Sequence, residues 1–256
     1  MKLKHLVTLC FFAFSVSIAL AQKPEKVKTK TKTKTETNKA LNSKLTYQVL
    51  KSDKDIKHGD YKMTNTFYKQ VIVSGSYNHG RKDGLWEEWV VNSSKLKSKG
   101  VYNNGKKIGV WEYSDILGKP LHTYNYKTNT LLFDSSCGKN YPRKIIQNGE
   151  QVSSNLDCVP DLLGGISSIF NAIEFISFFG EKQEDTAEIV SINVSILVKK
   201  DGTIGDVLVE TPFINPDFIS AIKSKLNNPE LIWIPGKLDG KNVDAYISYS
   251  HSITIL

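Results

Sequence analysis

The sequence predicts two folded parts of different class. Residues 45–133 read as an all-β repeat region of stacked hairpins. Residues 161–256 read as an α+β C-terminal domain, with two helices on a three-stranded antiparallel sheet. Three observations carry this. A glycine and aromatic pattern recurs at a spacing of 25 residues, from Gly75 onward and again from Gly100. A tail from Val243 to Ile255 alternates strictly, with Val243, Ala245, Ile247, Tyr249, His251, Ile253 and Ile255 on one face. Such a period of two marks a half-buried strand. Finally, the alternating run Ile192–Val198 meets Asp201-Gly202, a strong hairpin turn.

The first residues read as a leader. Lys2 and Lys4 precede an apolar run from Leu6 to Leu20, and Ala19-Leu20-Ala21 is a small-x-small cleavage site before Gln22. This pattern predicts a signal peptide over 1–21 and export, to the periplasm or cell envelope. The alternative is a retained membrane anchor. Cleavage would leave Cys137 and Cys158. An even count in an exported chain favours a disulfide, worth roughly 3 kcal/mol for a loop of this size.

Residues 22–44 follow as a Lys/Thr tract with eight lysines against two glutamates. The composition lacks the apolar residues of a core and predicts a disordered linker. The tract carries the excess of the formal +8 charge outside the leader lysines, so the rest is formally neutral. A basic nucleic-acid-binding face is therefore not expected. Membrane contact is expected only peripherally, through this tract.

In the repeat region, Gly75-Ser-Tyr77-Asn-His-Gly80-Arg-Lys-Asp-Gly84-Leu-Trp86 matches Gly100-Val-Tyr102-Asn-Asn-Gly105-Lys-Lys-Ile-Gly109-Val-Trp111. A partial copy at Gly59 and Tyr61 precedes them, and a worn one surrounds Tyr124 and Tyr126. His79-Gly80 and Asn104-Gly105 supply the left-handed residues of tight hairpins. Tyr77, Trp86, Trp89, Tyr102 and Trp111 are the repeat aromatics, placed to cover one another between units. These residues resemble a MORN-type repeat variant of bacterial antitoxin-like proteins, over about 58–127. The resemblance implies an interaction or structural scaffold. Residues 134–160, rich in turn formers such as Pro142 and Asn148-Gly149, read as a connector with room for short strands.

In the C-terminal part, Ile166, Ile169, Phe170 and Ile173 recur at helical spacing over 162–179. Asn215-Pro216 opens a second helix with apolar Phe218, Ala221, Ile222 and Leu226. Pro160-x-x-x-Gly164-Gly165, the Asp201-Gly202 hairpin, Trp233-x-Pro235, Gly240-Lys241-x-Val243 and the closing strand together resemble the TonB C-terminal domain. Phe178 to Ala187 departs from the family, which carries Tyr-Pro there. The resemblance implies protein binding, linked in that family to outer-membrane transport across the envelope. The expected mode is β-strand addition to an edge at Val243, Ala245, Tyr246, Ile247, Ser248 and Tyr249. Partners would be envelope proteins, outer-membrane receptors among them, or a second copy pairing the same edge. No pro-rich spacer accompanies it, so a binding module without the family's motor connection is expected, or a transducer if the anchor is retained.

Enzyme chemistry finds no support. There is no Gly-x-Ser-x-Gly, His-Glu-x-x-His or phosphate loop. His58, His79, His122 and His251 lack metal-ligand spacing. His251, on the apolar face of its strand, reads as a core histidine. No catalytic residue, metal or cofactor is expected. A different reading lets Tyr77, Trp86 and Trp111 stack on sugars, making the repeats a glycan-binding or structural unit.

Overall fold

The computed structural model describes residues 29–39, 42–166, 188–210 and 216–255. Nine consecutive strands form one antiparallel meander, each pairing with the next. They are β1 (Thr31–Asn38), β2 (Ser43–Leu50), β3 (Lys57–Asn65), β4 (Gln70–Asn78), β5 (Arg81–Trp89), β6 (Leu96–Asn103), β7 (Lys106–Ser114), β8 (Pro120–Asn125) and β9 (Thr130–Asp134). The two predicted turns form: His79-Gly80 and Asn104-Gly105 all have positive φ, as the primed hairpin turn requires. Successive units are tied together at these turns. Gly80 N–H donates to Lys57 C=O and Gly105 N–H to Lys82 C=O, both at 2.8 Å.

The tract expected to be disordered contains β1. Its Lys/Thr alternation has the period of a strand, and its threonines favour one. Consistent with its composition, β1 buries almost nothing; it covers the ladder of β2 as a lysine-rich edge. Tyr47 on β2 donates its hydroxyl proton to Glu36 on β1.

The second sheet has five strands in the order β11-β10-β18-β13-β14. These are β10 (Tyr141–Gln147), β11 (Glu150–Leu156), β13 (Glu188–Val198), β14 (Ile204–Glu210) and β18 (Ala245–Ile255). Short ribbons join β12 (Asp161–Leu162) to β15 (Trp233–Ile234) and β16 (Gly236–Leu238) to β17 (Lys241–Val243). Helix α1 (Pro216–Leu226) packs Ile222 and Leu226 against Ile192, Val194, Ile196 and Val198 of β13 and against Trp233.

The expected α+β architecture is thereby overturned. The protein is mostly strand, dominated by the nine-stranded sheet, and α1 is the one helix among the described residues. The C-terminal sheet has five strands, not three, because the presumed connector supplies β10 and β11. Ile145, Leu156 and Ala245 bury one another at that seam, which gives the added hairpin its apolar anchor. The helix expected over 162–179 falls mainly outside the described residues, and its first residue, Leu162, belongs to β12. Among the described residues no helix is long and apolar enough to cross a membrane. Cys137 and Cys158 form the expected disulfide, at a separation of 21 residues.

Candidate functional site

The repeat chemistry is a recurring bulge. Across β2–β3, β4–β5 and β6–β7 one residue faces three: Gln48 faces 58–60, Gly75 faces 84–86 and Gly100 faces 109–111. Each bulge contains a left-handed glycine: Gly59, Gly84 and Gly109. This conformation is why Lys-x-Gly recurs in the sequence. The bulge also brings the lysine and the following aromatic residue to one face, as Lys57 with Tyr61, Lys82 with Trp86 and Lys107 with Trp111.

A flat indole requires an empty neighbour beneath it. A Cβ on Gly75 would come within 2.3 Å of Trp86, and one on Gly100 within 2.1 Å of Trp111. The indole N–H groups donate to the carbonyls of Ser76 and Val101. In the first unit Tyr61 takes the tryptophan position, with Tyr47 on β2 and Gly75 on β4 as its ladder partners. The rings then form a row, Tyr61–Tyr77–Trp86–Tyr102–Trp111–Tyr126, with centroids 5.0–6.1 Å apart and mostly edge to face.

Four of the five predicted aromatics belong to this row: Tyr77, Trp86, Tyr102 and Trp111. Trp89 ends β5 opposite Leu96, and Ser114 stands one period later, so it is no repeat position. Trp86 and Trp111 are only 3% exposed, so their faces are taken by packing and not open to a sugar. Lys57, Lys82 and Lys107 complete the row. Burial lowers the pKa of Lys82 and of Lys107, and Glu88 opposes that shift. Sequence reading singled out the turn glycines and the aromatics and gave these lysines no role. The signal for a role was the lysine's own period of 25.

At one end the row meets the C-terminal part. Leu163 and Ile232 pack on the aromatic cluster. A cleft of about 230 Å³ opens there between Lys107, Trp111 and Tyr126 on one side and Leu163, Leu231 and Ile232 on the other. Lys107 donates to Tyr113 Oη at 3.0 Å and Tyr126 Oη at 3.4 Å. Burial and then Glu88 push the Tyr102 phenol up to about 12.

Beneath this junction His122 on β8 is almost fully buried. Gly164 N–H donates to its Nδ1 at 3.2 Å, which places the ring proton on Nε2. Nε2 has no hydrogen-bond partner, and the carboxylates of Asp161 and Asp134 stand 3.7 and 3.9 Å away. A protonated Nε2 is no metal ligand. Asp134, Cys137 and Cys158 also cluster, but both sulfurs are spent in the disulfide. Burial raises Asp161 to about 6, and burial lowers His122. His58 and His79 pair edge to face on the surface, and the side chain of His251 lies outside the described residues.

The predicted binding edge is reshaped. In the sheet order β18 is an inner strand, not an edge. Val243 lies on β17 opposite Gly236, and Ala245 is fully buried opposite Ile145. Those two residues are therefore already paired. Beyond Ala245, however, β10 diverges. Tyr246, Ile247, Ser248 and Tyr249 pair with β13 on one side, and on the other flank no strand follows among the described residues. Asp244 C=O accepts from Ile146 N–H, so the even-numbered residues turn their backbone groups toward that flank. Ser248 and Ser250 offer theirs there. Ile247 and Tyr249 face the aliphatic core, and Ser248 shares a 2.9 Å hydroxyl contact with Ser195 on the outer face.

Comparison with protein-family models, with curated proteins and with solved structures finds no match for this chain.

Proposed function

We propose that the chain is a non-catalytic, exported envelope protein that binds an extended segment of a protein partner along the second flank of β18. The observation that supports this reading is that, among the described residues, β18 pairs on one side only after Ala245. Unpaired N–H and C=O groups on a strand template another strand. The flank suits such an addition on both faces. On the inner side a partner's apolar residues would extend the row of Ile247 and Tyr249, and on the outer side the small Ser248 and Ser250 leave room for a close backbone. Export rests on the leader-like residues 1–21 and on the disulfide, which suits an oxidising compartment. A role beside outer-membrane transport rests on the resemblance of 160–256 to the TonB C-terminal domain.

The test is site-specific photocrosslinking in the full-length chain. A photoreactive residue at Ser248 should crosslink to solubilised outer-membrane proteins at a discrete mass, and one at exposed Asp206 on β14 should not. Equal products from both positions, or none from Ser248, would defeat the proposal. Ser248→Pro removes one outward N–H, which an open flank tolerates. It should abolish partner capture and leave the melting temperature nearly unchanged.

A further inference from the structure

We propose that the aromatic face of the nine-stranded sheet binds an acidic polysaccharide, one carboxylate of the chain meeting each ammonium of Lys57, Lys82 and Lys107. The three lysines stand on alternate strands, β3, β5 and β7. With neighbouring strands ~4.8 Å apart, the row repeats at about 10 Å, the scale of one disaccharide.

Each ammonium is held over rings rather than against an acid. Lys57 Nζ lies 5.1–5.6 Å from the centroids of Tyr47, Tyr61 and Tyr77. Lys82 Nζ is 4.3 Å from Trp86 and 5.0 Å from Tyr102, and Lys107 Nζ is 4.5 Å from Trp111. Among the described residues no carboxylate comes within 4.0 Å of any of them. Ring contacts fix the positions of these charges without neutralising them. All three side chains remain partly exposed, as do Tyr77, Tyr102 and Tyr126 beside them.

A chain with alternating acidic and neutral sugars meets this surface in both respects. Its carboxylates match the cation period, and the neutral sugars fall between lysines, beside the tyrosines. Where the row enters the cleft, Ser98, Glu88 and Glu230 offer partners for sugar hydroxyls. A nucleic-acid strand, with a charge every ~3.4 Å, has the wrong period. The contact differs from tryptophan stacking, because Trp86 and Trp111 are buried beneath the lysines.

The test uses hyaluronan oligosaccharides, which alternate acidic and neutral sugars, titrated calorimetrically into the full-length protein. Affinity should rise from disaccharide to hexasaccharide, as one, two and then three lysines engage. Lys82→Met keeps an alkyl stem over Trp86 and should weaken the hexasaccharide by about tenfold, as for loss of one charged hydrogen bond. Unchanged tryptophan fluorescence and melting temperature would show that the variant remains folded. No hyaluronan binding, affinity independent of length, hexasaccharide binding untouched by Lys82→Met, or equal binding of a chitin hexamer or of single-stranded DNA would each overturn the proposal.

Discussion

The two sheets solve the burial problem in opposite ways. The nine-stranded sheet pairs each strand only with its neighbour in sequence, and its core is a row of rings on one face. The five-stranded sheet joins β10 to β18 across about a hundred residues, and its core is aliphatic, closed by α1. In the first, large rings over small glycines recreate the same contact in every unit. In the second, no unit repeats, and burial depends on segments distant in the chain. The comparison teaches that a periodic sheet tolerates little change of size at its repeated contacts. An aliphatic core spreads the same change over many neighbours.

This contrast can be broken experimentally. Trp111→Ala empties a nearly buried ring site and should cost about 3–5 kcal/mol in urea unfolding, the largest effect expected. Gly100→Ala adds one methyl against that indole and should cost about 1–3 kcal/mol, although alanine is otherwise a better strand residue than glycine. By contrast Gly80→Ala, whose added Cβ meets nothing within 4 Å, should cost only the strain of a left-handed turn, about 1 kcal/mol. If Gly100→Ala were as mild as Gly80→Ala, the size rule at the repeats would be wrong.

The junction between the two parts supplies a pH test. Asp161 holds its proton up to about pH 6 in the folded chain, above its ordinary value of 3.8. The folded state thus binds the proton more tightly, and this contribution is present below about pH 4 and lost as pH rises to about 6. Asp161→Asn should remove that fall and raise stability at pH 7 by about 1–3 kcal/mol. His122 acts with the opposite sign. Its lowered pKa means that stability is present above its ordinary value of 6.5 and is lost as pH falls through the folded value. His122→Gln should therefore expose the Asp161 slope more fully between pH 4 and 6.

The repeats were legible because their constraints are local. The left-handed glycines of the turns and bulges, the glycines beneath the indoles and the aromatics all lie within one 25-residue window. Lys82 and Lys107 were visible as letters but not as a row, since only the bulge brings each lysine onto its ring. The C-terminal sheet was half legible. The hairpin at Asp201-Gly202, the helix from Pro216 and the final strand follow from turn chemistry and periodicity. The pairing of Ile145 with Ala245 does not, because nothing local to either residue names the other. That one contact turned the expected edge into an inner strand at its start. Likewise β1 was hidden by composition: a tract too polar for a core can still serve as a sheet's hydrophilic border.

The central claim is that β18 offers one backbone flank to a partner. Residue-resolved amide hydrogen exchange by NMR tests it directly. The account predicts alternation: the N–H groups of Ser248 and Ser250 exchange fast, whereas those of Ile247 and Tyr249, turned toward β13, are protected. Uniform protection from Ile247 to Ser250 would mean that the flank is already covered, and would contradict the account.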